Sequence, residues 1–99
     1  MALQVVWTIN ALEDYRRIVD YLLIEWTLKV ASDFIRTFEE RVDTLRSFPN
    51  VGIASQKYPP IRSIVLTKHN KLYYRTGTDK IEILSIFDTR QNPAKNIYE

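Results

Sequence analysis

Ile81-Glu82-Ile83-Leu84-Ser85-Ile86-Phe87-Asp88-Thr89-Arg90-Gln91-Asn92-Pro93 is the stretch on which the reading of this chain turns. Ile81 to Phe87 is mostly apolar and rich in isoleucine, and reads as a buried strand. It runs straight into a polar segment with one arginine and stops at a proline. An apolar strand of this kind delivers Asp88 and Arg90 to its end and holds them at a fixed point. A free loop would not.

Working outward from this strand, the preceding segments repeat its character. Gly77-Thr78-Asp79-Lys80 reads as a turn and Lys71 to Thr76 as a strand. Lys68-His69-Asn70 reads as a second turn, and Ile61 to Thr67, rich in β-branched residues, as the first strand of an antiparallel meander. Residues 50–60, with Gly52, Pro59 and Pro60, read as loop. Before them the apolar period is helical. Ala31, Phe34, Ile35, Phe38, Val42, Leu45 and Phe48 form one stripe, closed by Pro49, which cannot continue a helix. Tyr15, Ile18, Val19, Leu22 and Trp26 form another. Asn10-Ala11-Leu12-Glu13 has the form of a capping box for the first helix, and Thr27 caps the second. Leu3 to Thr8 reads as an initial strand. The link between the helices is very short, so they form an antiparallel hairpin. The order β-α-α-β-β-β implies an α+β fold, with a long helical hairpin on one face of a small, mainly antiparallel sheet. Trp7 and Trp26 are expected in the core or at its edge.

Composition bounds the rest. Ninety-nine residues leave room for one domain, spanning 1–99, and a chain 45% hydrophobic and 26% charged is ordinary for a soluble globular protein. The absence of cysteine excludes disulfide and thiolate chemistry and favours a reducing cytoplasm. Met1 to Trp7 lacks the features of a signal peptide. No apolar run reaches the roughly 20 residues that span a bilayer, so no membrane association is expected. Residues 1–50 carry six Lys and Arg against eight Asp and Glu, whereas residues 51–99 carry eight against four. The basic half suits phosphate or an acidic partner segment, or is simply a solvated surface.

Familiar chemistries fall away one by one. Two well-separated glycines make no phosphate loop, and one histidine without cysteine makes no zinc site, so no metal or cofactor is expected. No serine has a nucleophile-elbow context. Glu39, Glu40 and Asp43 read as a solvated helix face. His69 reads as a turn residue, with a titrating base as the alternative. Cations on the sheet remain. Strand parity puts Arg62 with Lys68 on one face, and Lys71 with Tyr73 and Arg75 on one face. The face that the helices leave free could present such cations to RNA phosphate, a phosphorane-like transition state or an acidic peptide. Equally, they are the polar half of an alternating strand pattern. Arg90 fits a functional contact or an ion pair with Asp88.

The whole pattern resembles the RelE/ParE superfamily of toxins from bacterial type II toxin–antitoxin systems. The resemblance is carried by Trp7 with its strand, the two helices, Ile61-Arg62-Ser63-Ile64, Lys68 to Arg75, and above all Ile86 to Pro93. It covers nearly the entire chain in order. It implies a cytoplasmic toxin suppressed by a cognate antitoxin that wraps it. RelE-like members cut mRNA in the ribosome without a metal, using basic side chains to activate the ribose 2′-hydroxyl and stabilise developing charge. In that alternative Arg62, Lys71 and Arg90 are the catalytic candidates. Ile64, however, stands where some such enzymes carry a second lysine, and the tyrosine acid is available only as Tyr98. ParE-like members poison DNA gyrase and are not nucleases. The long hairpin and the Asp88-Thr89-Arg90-Gln91-Asn92-Pro93 ending favour this branch, with Arg62, Lys68, Lys71, Arg75 and Arg90 as target contacts. A non-toxic member that survives as a binding module is the third reading.

Overall fold

The strand that opens the sequence argument is the longest in the molecule and lies between partners of opposite sense. In the computed structural model it is β5 (Lys80–Asp88), in a five-stranded sheet of order β1-β5-β4-β3-β2. The remaining elements are β1 (Gln4–Trp7), α1 (Ile9–Glu25), α2 (Leu28–Ser47), β2 (Ile53–Ala54), β3 (Ile61–Thr67) and β4 (Asn70–Thr76), with a short 3-10 turn at Pro93–Lys95. Residues 3–91 and 93–99 are described. Met1 and Ala2, at the start of the chain, and Asn92, within the polar ending, lie outside them.

The α+β architecture and mainly antiparallel sheet expected from the sequence are present, with one detail added and three local expectations corrected. First, β1 pairs with β5 in parallel, from Gln4 opposite Lys80 to Trp7 opposite Ile83, while the other pairings are antiparallel. Second, the 50–60 segment contains β2, which pairs Ile53 with Ser63 and Ala54 with Arg62. Third, α1 is capped by Thr8 and not by Asn10. The Thr8 amide donates to the Ile83 carbonyl at 3.0 Å and its hydroxyl to the Leu84 carbonyl at 2.8 Å. That anchorage leaves Thr8 Oγ1 in place to accept from the Ala11 amide at 3.0 Å. Thr27 caps α2 as expected, accepting from the Val30 amide. Fourth, Trp26 and Phe48 are exposed, at 61% and 66%. Each is the residue on which a helix ends, so neither shares the buried stripe that precedes it.

The helices and the sheet enclose one apolar core, with Ala11, Phe34, Phe38 and Leu45 from the helices meeting Leu66, Leu72, Tyr74, Ile81, Ile83 and Ile86 from the strands. Trp7 joins the two layers, stacked on Phe38 at 5.1 Å and edge-on to Tyr15 at 5.3 Å. Burial raises the Tyr15 hydroxyl pKa, aided by the nearby Glu39 carboxylate. Among the described residues no helix is long and apolar enough to cross a membrane.

Where the α2 stripe ends, a polar clamp takes over. The Tyr74 hydroxyl, fully buried, donates to the Pro49 carbonyl at 2.7 Å and accepts from the Gly52 amide at 3.0 Å. Arg62 donates to the Gly52 carbonyl at 2.7 Å. A Cβ at Gly52 would lie 2.5 Å from Tyr74 Oη and 2.8 Å from the Ser63 carbonyl, so only glycine lets the loop come this close. Tyr74→Phe leaves the buried Gly52 amide without its acceptor and the Pro49 carbonyl without its donor. The expected cost is about 1–3 kcal/mol for an orphaned buried group, read as a lower urea midpoint at unchanged slope.

Candidate functional site

β1 is much shorter than β5, and the site follows from that mismatch. β1 covers β5 only as far as Ile83, so among the described residues the rest of β5 has no strand neighbour on that side. Side chains take over the edge. The Thr8 hydroxyl satisfies the Leu84 carbonyl, and the Asp14 carboxylate accepts from the Ile86 amide at 3.0 Å. Asp14, 9% exposed, also accepts from Arg17 at 2.7 Å. Beyond this point α1 and the start of α2 overhang the sheet end and leave a groove of about 1110 Å³. Its helical wall carries Tyr21, Leu22, Trp26, Val30 and Phe34. Its floor is the end of β5 from Ser85 to Asp88, and its far rim is the β3–β4 turn, Arg90 and residues 95–98.

The groove's helical wall sets Asp14, Arg17 and Asp33 beside its apolar residues, and its rim is charged. Arg90 holds Asp88 with both guanidinium arms, Nε to Oδ1 at 3.1 Å and Nη2 to Oδ2 at 2.9 Å, and its amide also donates to Oδ1. These hydrogen bonds from the Arg90 side chain hold the Asp88 carboxyl below its usual range, with the Arg90 amide and the charges of Arg90 and His69 acting in the same sense. Asp33, on α2, is likewise lowered, mainly by its hydrogen bond from Lys29. Arg90 stays 59% exposed, so a partner can still reach its outer face. The β3–β4 turn is tied by Thr67, whose hydroxyl accepts from the His69 amide and from Asn70 Nδ2. His69 is part of that turn, in line with its plainer reading.

The five cations singled out by sequence occupy four separate places. Arg62 pairs with Tyr74 and so shares the helix-covered side of the sheet, where it holds loop carbonyls. Lys68 sits in the turn. A register shift between Val65 and Thr67 breaks the alternation that would have put it with Arg62. Lys71 and Arg75 do share the second face, where Arg75 meets Glu82 at 2.6 Å. Arg90 lies at the groove. Arg62 and Lys71 thus leave opposite faces of the sheet, so the three residues considered as a catalytic set do not converge on one.

The second face is also less open than expected. Tyr73, on that face, is fully buried beneath residues 96–99. Tyr98 is stacked there and does not hang free. Sequence reasoning missed both this cover and the groove. The groove did leave a trace, since Trp26 extends the α1 stripe one turn beyond Leu22, the last residue of that stripe packed against the core.

The family model described as the ParE toxin of the type II toxin–antitoxin system parDE matches residues 5–93. No curated protein matches the chain significantly. Among solved structures, the chromosomal ParDE system from P. aeruginosa is similar at a TM-score of 0.72 and 22% identity, covering 88% of this chain and 96% of that one. A YoeB/ParE toxin from Agrobacterium tumefaciens gives 0.64 and 14% over 87% and 98%. A YoeB dimer from Staphylococcus aureus gives 0.65 and 14% over 88% and 97%. At these identities the structures speak for the fold, and the family model for the rest: the chain belongs to the ParE toxin family of type II toxin–antitoxin systems.

Proposed function

We propose that the chain acts by binding DNA gyrase, and that an antitoxin silences it by laying an apolar-faced segment into the groove between the hairpin and the end of β5. The observation that carries this reading is the contrast between groove and cations. A cavity of about 1110 Å³ walled by Trp26, Leu22 and Val30 suits a helix with apolar anchors at helical spacing. By comparison, Arg62 and Lys71 on opposite faces cannot jointly grip one scissile phosphate. An interaction protein needs no such convergence, because separate cations can each meet a separate acidic group on a large partner. The partly exposed Arg90 at the groove rim, steadied by Asp88, is the cation best placed for such a contact.

Producing the chain alone in a bacterium tests the target. DNA breaks and altered supercoiling with intact mRNA are expected, and cuts phased to codons would replace this reading with the ribosomal nuclease. If growth is unaffected, the non-toxic binding module is left. Arg90→Ala should abolish growth inhibition. Its melting temperature should move little, because a solvent-screened surface ion pair contributes little to stability. A large loss of stability would make Arg90 structural. Trp26→Asp should weaken capture by the antitoxin encoded beside it by at least about tenfold in a titration, the scale of burying a charge at an apolar anchor. Its toxicity and circular dichroism spectrum should stay unchanged.

A further inference from the structure

On the second face of the sheet, residues 96–99, part of which also rim the groove, make a separate set of contacts. Ser63, Tyr73 and Ser85 lie in register across β3, β4 and β5. A serine on each side of Tyr73 leaves its ring without a tall neighbour on the face away from the helices. Such a ring should be exposed, yet Tyr73 is fully buried. Residues 96–99 supply the cover. The Tyr98 ring stacks on Tyr73 at 4.8 Å and 27°. Asn96 Nδ2 donates to the Tyr73 hydroxyl at 2.8 Å, and that hydroxyl donates to the Glu99 carboxylate at 3.3 Å. Ser55 Oγ donates to the Tyr98 carbonyl. Burial raises the Tyr73 pKa, which keeps this hydroxyl a donor.

We infer that this face carries a second docking slot, built to take an aromatic side chain beside a carboxylate, and that Tyr98 and Glu99 fill it in cis. The occupant that the slot awaits is a partner protein's segment with an aromatic residue next to Glu or Asp. The in-cis occupant already displays that chemistry on a peptide backbone. Lys71, two residues before Tyr73 on the same face, gives it a positive neighbour that an acidic segment complements, while Arg75, two residues after it, is paired with Glu82. The covering segment is lightly held. It is short and irregular beyond the 3-10 turn, and Ile97 within it is 60% exposed. It is held by one ring stack and a few part-buried hydrogen bonds, so an intermolecular competitor can displace it. The inference does not depend on which target the toxin has.

A competition experiment tests it. Tyr98→Ala in the full chain empties the slot without touching the sheet. A synthetic peptide of residues 93–99 is titrated into the original and variant chains, followed by the amide resonances of Ser63 and Ser85. The same is done with that peptide carrying alanine for its tyrosine, and with hexauridylate. The peptide should bind the variant at least about tenfold more tightly, because the tethered segment competes at an effective concentration near millimolar. The alanine peptide should not bind. Asn96→Ala, which loosens the cover but keeps the Tyr98 ring, should give a smaller gain in the same direction. Equal affinity for original and variant, or no movement of Ser63 and Ser85, overturns the slot. Hexauridylate moving those resonances where the peptide does not overturns the peptide occupant and makes the face a nucleic-acid surface.

Discussion

The exposed flank of β5 is the constraint that the rest of the molecule answers. A strand edge with unmet amides and carbonyls is costly when buried and sticky when open. Here β1 runs out at Trp7, and two side chains from the chain that follows it complete the ladder: the Thr8 hydroxyl on the Leu84 carbonyl and the Asp14 carboxylate on the Ile86 amide. Because Thr8 is also the cap of α1, the same bonds that close the sheet aim the helix. The helix then runs beyond the point where strands can support it. The groove is what remains beneath the overhang.

Much of this could be read from residue order. The apolar run Ile81 to Phe87, the meander before it and the two helical stripes are strong periodic signals, and each corresponds to an observed element. The failures share one physical origin, which is that tertiary contacts overrule local pattern. Asn10 fits a capping box, but Thr8 is the residue anchored by β5. Trp26 continues a helical stripe, but the sheet ends before it does. Strand parity assigns faces only until a bulge intervenes, and β3 has one before Thr67 while β4 and β5 slip between Tyr73 and Tyr74.

The candidate cations can be named from residue order, but their grouping cannot. Arg62, Lys71 and Arg90 are candidates by charge and place in the sequence. Charge alone does not disclose that one guanidinium clamps loop carbonyls, another chelates Asp88, and the lysine stands on a different surface. Nor does it disclose that a segment near the end of the sequence folds back over Tyr73, since residues 93–99 carry no periodicity from which to read it.

The pairing of β1 with β5 also sets an order of events. Thr8 and Leu84 are 76 residues apart, so closing that contact is an entropically demanding, non-local step, whereas the meander closes through tight turns. On the ribosome, β1 and both helices emerge long before β5 exists. Their apolar faces must wait in a collapsed, unfinished state until the last strand leaves the exit tunnel. A translation product cut short before β5 therefore has no route to the native sheet.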